Sequence, residues 1–322
     1  SGRPEAMFVV ERLIDLAARD LGFDRIALRR RNLIAERAMP YTNALGLAYD
    51  SGAYVRAMDT ALALAEWNTF PRRRREAKRR KRCRGFGIAN YIEIASGAPR
   101  ERAEVTVIPD GWVDVVIGTL ASGQGHETSF AQLVTDWLGV PADRVRLITG
   151  DTDRVQVGGG SHAGRSMRLA SIVIGKATDE IVAKGSQIAA HLLGAASEDI
   201  AFSGGQFSVS GTERSIGLFE VAAAAQNDGA VPGNLRGPLG AQCDETVKAG
   251  AFPYGCHACE IEVDPETGRT EIVSYVAVDD VGRAVNPMIL HGQTHGGVTQ
   301  GVGQALLERC CYDPDSGQLL TG

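Results

Sequence analysis

The segment GQGHETSFAQ (residues 123–132) sets an amide, an imidazole and a carboxylate, those of Gln124, His126 and Glu127, beside two glycines and directly ahead of an amphipathic run. That set suits metal ligation, general acid–base chemistry or the grip of an anionic ligand. A helix that starts behind a glycine loop exposes backbone N–H groups, which bind anions. An amide adds both a donor and an acceptor, suited to a ring edge. The arrangement recurs in GDTDRVQVGGGSHAGRSMRLAS (150–171), where Gly158, Gly159 and Gly160 precede Ser161 and Gly164-Arg165-Ser166 opens a long apolar-periodic run. Two such loops are expected to converge on one anionic ligand, although ordinary helix caps account for either loop alone. Neither loop matches G-x-G-x-x-G after a strand or G-x-x-x-x-G-K-[ST], so nucleotide binding of the usual kinds is not supported.

The other candidate ligands are weaker. Cys256 and Cys259 form a C-x-x-C around His257, but no second pair stands at zinc spacing. The segment also reads as a strand, which sends the two thiols to opposite faces. His291 and His295 are four residues apart on a helix, yet the glutamate of H-E-x-x-H is missing. Packing or capping is favoured over metal for both. The helix that carries them also holds Gly292, Gly296, Gly297, Gly301 and Gly303. Each costs about 1 kcal/mol relative to alanine in a helix. Close approach of a neighbouring backbone or a bulky ligand would explain them, and so would tight helix packing.

These residues sit in a chain of 322 residues, 44% hydrophobic and 23% charged, with a net charge of −5. That is an ordinary globular balance. No apolar run reaches the 18 residues of a membrane span. The six cysteines show no disulfide-framework spacing, which points to a reducing, cytoplasmic setting. The chain opens SGRPEAMF and ends SGQLLTG, and is expected to be a piece of a longer polypeptide.

Periodicity predicts helices over 4–22, 24–34, 55–67, 128–139, 165–194 and 288–309, with a turn-rich stretch at 40–54. Strands are expected mainly in 84–150 and 240–282, with Asp110-Gly111 as a hairpin signal. Separated runs of strands and helices argue for an α+β fold. The run RRRREAKRRKRCR (72–84) holds ten basic residues and one acid, leaving the rest of the chain at about −14. It lacks interleaved aromatics, so a solvated helix face or a linker is preferred to nucleic-acid binding, and a domain boundary is expected there.

Taken in order, GRPEA, PYTNALGLAYDSGAY, GIANYIE, GQGHET, GDTD, AGRS, VDDVGRAVNP and GQTHGGVTQGVG resemble the large, molybdenum-binding subunits of the xanthine dehydrogenase, aldehyde oxidase and carbon monoxide dehydrogenase family. The wording of GRPEA and GQGHET is nearest the bacterial carbon monoxide dehydrogenase-type large chains. The resemblance covers nearly the whole chain. It implies an α+β molybdopterin-binding fold with mixed sheets and long packed helices. Residues 1–80 would be the helical remainder of a first molybdopterin-binding subdomain, and 81–322 a second subdomain incomplete at its C-terminus.

The resemblance also implies the cofactor, molybdopterin with molybdenum, in bacterial members often the cytosine dinucleotide form. Gln124, Gly125 and His126 would grip it. Ser161, Gly164, Arg165 and Ser166 would line it from the second loop, although SHAGRS departs from the Gly-Ser-Arg-Ser ending of many relatives. Gln293 would contact the pterin, and the loops and Gln293 would face one cleft. The implied reaction is oxidative hydroxylation of an aldehyde or N-heterocycle, or oxidation of carbon monoxide. Electrons would leave to iron–sulfur and FAD partner subunits of an oligomeric complex, with no nucleic acid and no membrane involved. The family's catalytic glutamate has no match here and is expected beyond Gly322, so this piece alone is expected to carry neither cofactor nor activity. An inert family member or assembly module is the alternative.

Overall fold

The computed structural model describes residues 2–95 and 97–321. In chain order the elements begin with α1 (Arg3–Leu21), α2 (Arg25–Asn32), the short strands β1 (Tyr41–Thr42) and β2 (Ala48–Tyr49), α3 (Tyr54–Leu64), α4 (Phe70–Arg79) and β3 (Cys83–Ile92). Next come β4 (Arg100–Ile108), β5 (Trp112–Ile117), α5 (His126–Leu138), β6 (Val145–Ile148) and the long α6 (Arg165–Leu193). The strands β7 (Ile200–Ser203), β8 (Gln206–Val209) and β9 (Ser215–Gly217) precede α7 (Leu218–Gln226) and β10 (Leu239–Thr246). The chain finishes with β11 (Tyr254–Val263), β12 (Thr270–Asp280) and α8 (Pro287–Leu306). The expected α+β class is what the chain adopts.

Contacts divide the chain into two compact units. The first comprises 1–94, 250–284 and 290–322, and the second comprises 95–249 and 285–289. This differs from the boundary expected at 80/81. The basic run is not a linker, because its cations are used inside the first unit. Arg73 donates to Glu260 on β11 at 2.8 Å, and Arg84 reaches the same carboxylate at 2.5 Å. Arg80 and Arg82 pair with Glu262 and Asp264 at 2.6 and 2.5 Å. The composition shift marks a helix that lies beside an acid-bearing strand, not a joint.

In the first unit, β11 is the centre of an antiparallel sheet ordered β12-β11-β3. Alternation splits its faces. Cys256 and Ala258 turn into a core with Phe86, Ile88, Met58, Ala61 and Leu62, the last three from α3. The two residues of the C-x-x-C thus part company, and burial pushes the Cys256 thiol up to about 12, the mark of an inert thiol.

The second unit carries a sheet ordered β10-β4-β5-β6. The hairpin β4–β5 turns at Pro109-Asp110-Gly111, where Gly111 takes φ +90°. Inward positions Ala103, Val105, Val107, Val113, Val115 and Ile117 are sealed from water and pack with Phe130 and Leu138 of α5 and Val173, Ile174 and Ile181 of α6. Strand β6 then pairs parallel to β5, so β5, α5 and β6 form a crossover unit with the GQGHE loop at the strand's C-terminal end. The hairpins of β7, β8 and β9, with α7, were not anticipated from the sequence. Their strands are only three or four residues long, too short to show a period.

Candidate functional site

Two helices of the second unit start the same way. The residue before α5 is Gly125 at φ +72°, and the residue before α6 is Gly164 at φ +68°. That left-handed backbone suits glycine. Neither helix has a side-chain cap, and apart from those of Thr128 and Arg165, which bond the Gly125 and His162 carbonyls, the first-turn N–H groups are left for another acceptor.

A continuous chain of polar side chains joins the two loops. Gln124 Nε2 donates to Ser161 Oγ at 2.6 Å, Ser161 and Ser166 hydroxyls lie 2.8 Å apart, and Thr119 Oγ1 donates to Ser166 Oγ at 2.5 Å. The Ser122 N–H closes on Gln124 Oε1. The amide's orientation is therefore set, with its oxygen toward Ser122 and one Nε2 hydrogen still free to donate. These bonds bring the loops 123–127 and 158–166 together. Beneath it Gly118 and Gly158 stand in backbone contact, and a Cβ on either would overlap the other's Cα.

The remaining predicted residues divide. His126 is buried, stacks on Phe130 with ring centroids 4.7 Å apart, and donates from Nδ1 to the Thr119 carbonyl at 3.0 Å. Burial pushes its imidazole down, against a smaller upward pull from that carbonyl and Glu127. Neutral at pH 7, His126 shapes the loop and brings no cation to it. The Arg165 side chain is likewise engaged within the protein. Its guanidinium is spent inside the protein on Glu101 at 2.8 Å, on the carbonyls of Ala98 and Arg100 at 2.8 and 2.9 Å, and on that of Gly160. Glu101 also accepts from the Gly159 N–H at 3.3 Å. The pair thus ties the glycine loop to β4.

Glu101 and Thr119 are the positioning residues that sequence reasoning missed. Glu101 did leave a signal, since it falls in phase with the buried Ala103, Val105 and Val107. A carboxylate at an inward position of such a strand requires a buried partner.

The start of α8 belongs to this unit as well. Asn286 Oδ1 caps the helix through the Ile289 N–H at 3.1 Å, and its amide donates to Gln132 of α5 at 3.2 Å. Gln132 in turn donates to the Val285 carbonyl at 2.7 Å. Gln293 lies further along α8, exposed, in the portion assigned to the first unit. A Cβ added at Gly292, Gly296, Gly297 or Gly301 would meet nothing within 4 Å. Tight packing among the described residues therefore does not explain those glycines. Among the described residues no group of three or more His, Cys, Asp and Glu side chains is placed to hold a metal ion. Among the described residues no helix is long and apolar enough to cross a membrane.

The model of the molybdopterin cofactor-binding domain matches residues 60–322, and a second model of the same description matches residues 1–33. The chain belongs to the molybdopterin cofactor-binding domain family. It is 33% identical to the carbon monoxide dehydrogenase large chain of Afipia carboxidovorans over 96% of its own length and 40% of that protein's. It is 33% identical to the 6-hydroxypseudooxynicotine dehydrogenase complex subunit gamma of Paenarthrobacter nicotinovorans, over 99% of its length and 41% of the other's. The crystal structure of quinoline 2-oxidoreductase from Pseudomonas putida 86 superimposes with a TM-score of 0.88 at 35% identity, covering 98% of this chain and 42% of that one. The chain thus spans about 40% of the length of the curated relatives it matches. The family resemblance read from the ordered motifs holds.

Proposed function

We propose that the paired loops of the second unit bind the molybdopterin of a molybdenum hydroxylase large subunit. The observation that carries this reading is the Gln124–Ser161–Ser166–Thr119 chain between two helix N-termini that have no side-chain caps. Such a cradle suits a ligand with a phosphate and a hydrogen-bonding ring edge. Gln124 offers its remaining Nε2 hydrogen, and Gly125 and Gly164 keep Cβ atoms away from the loops. Ser161 and Ser166 act through their hydroxyls. His126 and Arg165 hold the loops in shape. Gln293 is assigned as a further pterin contact on the family resemblance.

The bound group supplies a two-electron redox centre for oxidative hydroxylation of an aldehyde or N-heterocycle, or for oxidation of carbon monoxide. The residues of this chain bind and orient it. The cytosine dinucleotide form, iron–sulfur and FAD partner subunits and an oligomeric complex complete the proposal, supported by the multisubunit relatives.

The test is to measure molybdenum by mass spectrometry and oxidised-pterin fluorescence on the intact subunit, with and without Gln124→Ala. Acid release of cytidine monophosphate identifies the dinucleotide. Metal and pterin lost together in the variant support the reading. Equal loading of both proteins rejects the site, and a subunit with neither metal nor pterin favours an inert family member.

A further inference from the structure

On the face of the first unit's sheet opposite the α3 core, β11 presents His257 between three groups that can exchange protons. His257 Nε2 lies 2.9 Å from Asp279 Oδ1, and His257 Nδ1 lies 2.9 Å from the Tyr275 hydroxyl. Tyr91 donates to the same Asp279 oxygen at 2.7 Å. Gly255 makes the meeting possible, since a Cβ there would overlap Asp279 Oδ1 and approach the Tyr91 ring to 2.6 Å. The rings pack edge to face, with His257 and Tyr275 centroids 5.6 Å apart at 88°.

The tautomer follows from the partners. Asp279 is held below the usual carboxylate range: burial pushes it up, but the hydrogen bonds from His257 and Tyr91 outweigh that. An ionised carboxylate only accepts, so Nε2 carries the proton and Nδ1 accepts from the Tyr275 hydroxyl. The order carboxylate, imidazole, hydroxyl is that of a serine hydrolase triad with a phenol in the serine's place.

We propose that Tyr275 is a redox-active tyrosine, the site at which this chain yields a single electron to a one-electron oxidant derived from dioxygen. The step balances within the cluster. The oxidant takes one electron from the phenol, the O–H bond breaks, and its proton moves to His257 Nδ1. A neutral tyrosyl radical and an imidazolium remain, and Asp279 pairs with the imidazolium. An electron from a soluble thiolate and the return of the same proton restore the phenol.

Losing an electron makes a phenol strongly acidic, so oxidation is easiest where a good base already holds the proton. Burial, then the charges of Cys259 and Asp279, push the resting Tyr275 phenol up, so it stays protonated until the electron leaves. Of the other tyrosines, Tyr91 and Tyr254 donate to carboxylates, weaker bases than imidazole, and Tyr54 faces the Ser51 carbonyl at 3.5 Å. Tyr49 accepts from the Asn43 amide. Among the described residues Tyr275 is the tyrosine whose hydroxyl meets an imidazole. Two indoles are disfavoured by cations over their rings, Trp112 by Arg144 and Arg146 at 5.3 and 5.1 Å and Trp67 by Arg25 at 5.4 Å. Tyr275 is also 39% exposed, which admits a soluble oxidant and reductant.

The test is flash oxidation of the full chain with photogenerated tris(bipyridine)ruthenium(III), read by transient absorption, by electron paramagnetic resonance after freezing, and by peptide mass spectrometry. A tyrosyl signal with the modification on Tyr275 is expected. Tyr275→Phe, which keeps the ring and removes the hydroxyl bonded to His257, should abolish most of it. His257→Gln should slow its formation about a hundredfold, the low end of what a positioned base contributes. Added imidazole should partly restore the rate in His257→Ala, which a merely structural role would not allow. An undiminished signal in Tyr275→Phe, oxidation centred on the exposed third indole, Trp137 of α5, or a rate indifferent to His257 would overturn the assignment.

Discussion

Glu101 and Arg165 form an ion pair withdrawn from water, their side chains 0% and 1% exposed and their nearest atoms 2.8 Å apart. Breaking a buried pair by removing one partner leaves an uncompensated charge, at about 3–5 kcal/mol. Glu101→Ala should therefore lower the unfolding free energy, read from the urea midpoint, by the lower part of that range, because three carbonyls still solvate Arg165. Hydrogen exchange at Gly159, whose N–H bonds Glu101, should rise further than at the helical amides of α6. An unchanged midpoint would show that the pair is dispensable.

The Gln124 amide is oriented by hydroxyls one and two bonds away. Thr119→Val removes the donor at the far end of that chain, while Thr119→Ser keeps it. In the intact subunit Thr119→Val should weaken cofactor retention by an amount comparable to one hydrogen bond, about 1 kcal/mol. Thr119→Ser should retain wild-type loading. Equal loading of the two variants would disconnect Thr119 from the site.

Glycines in the two regions should respond in opposite directions. Gly118→Ala forces a Cβ into the Gly158 backbone and should destabilise the chain by about 1–3 kcal/mol, the usual cost of overpacking. Gly296→Ala meets no atom within 4 Å and should stabilise α8 by about 1 kcal/mol. Thermal melts of both variants check the pair, and a destabilising Gly296→Ala would reveal packing against that helix.

Glu260, 4% exposed, is shared by Arg73 and Arg84. Burial pushes its carboxyl up, but hydrogen bonds and charge from the two arginines outweigh this, so it lies below the usual carboxylate range in the folded protein. A depressed folded value means the contribution is complete above the unfolded carboxyl's value of about 4.3 and is lost as pH falls through the folded value. Stability should therefore drop below about pH 4. Glu260→Gln should be less stable at pH 7 yet show a shallower acid decline. Parallel pH profiles for both proteins would contradict the assignment.

Local chemistry, readable from the sequence alone, determined much of this protein. The alternation of Val105, Val107, Val113 and Val115 dictates a half-buried hairpin. Gly22 and Gly194 stop their helices because only glycine takes the left-handed turn cheaply, and the glycine loops announce helix starts. The ordered motifs carried the family. What the sequence could not state is which groups neutralise one another across long separations. The Arg165 guanidinium has no visible partner in the sequence, and Glu101, sixty-four residues away, is brought beneath it. The basic run reads as a boundary until Glu260 and Glu262 arrive alongside. His257 stands in a C-x-x-C with no second ligand pair, and only the register of β12 sets Tyr275 and Asp279 against its two nitrogens. A residue's type limits what it can do. Whether its donors and charge are free or already spent depends on burial and on strand register, which only the tertiary structure decides.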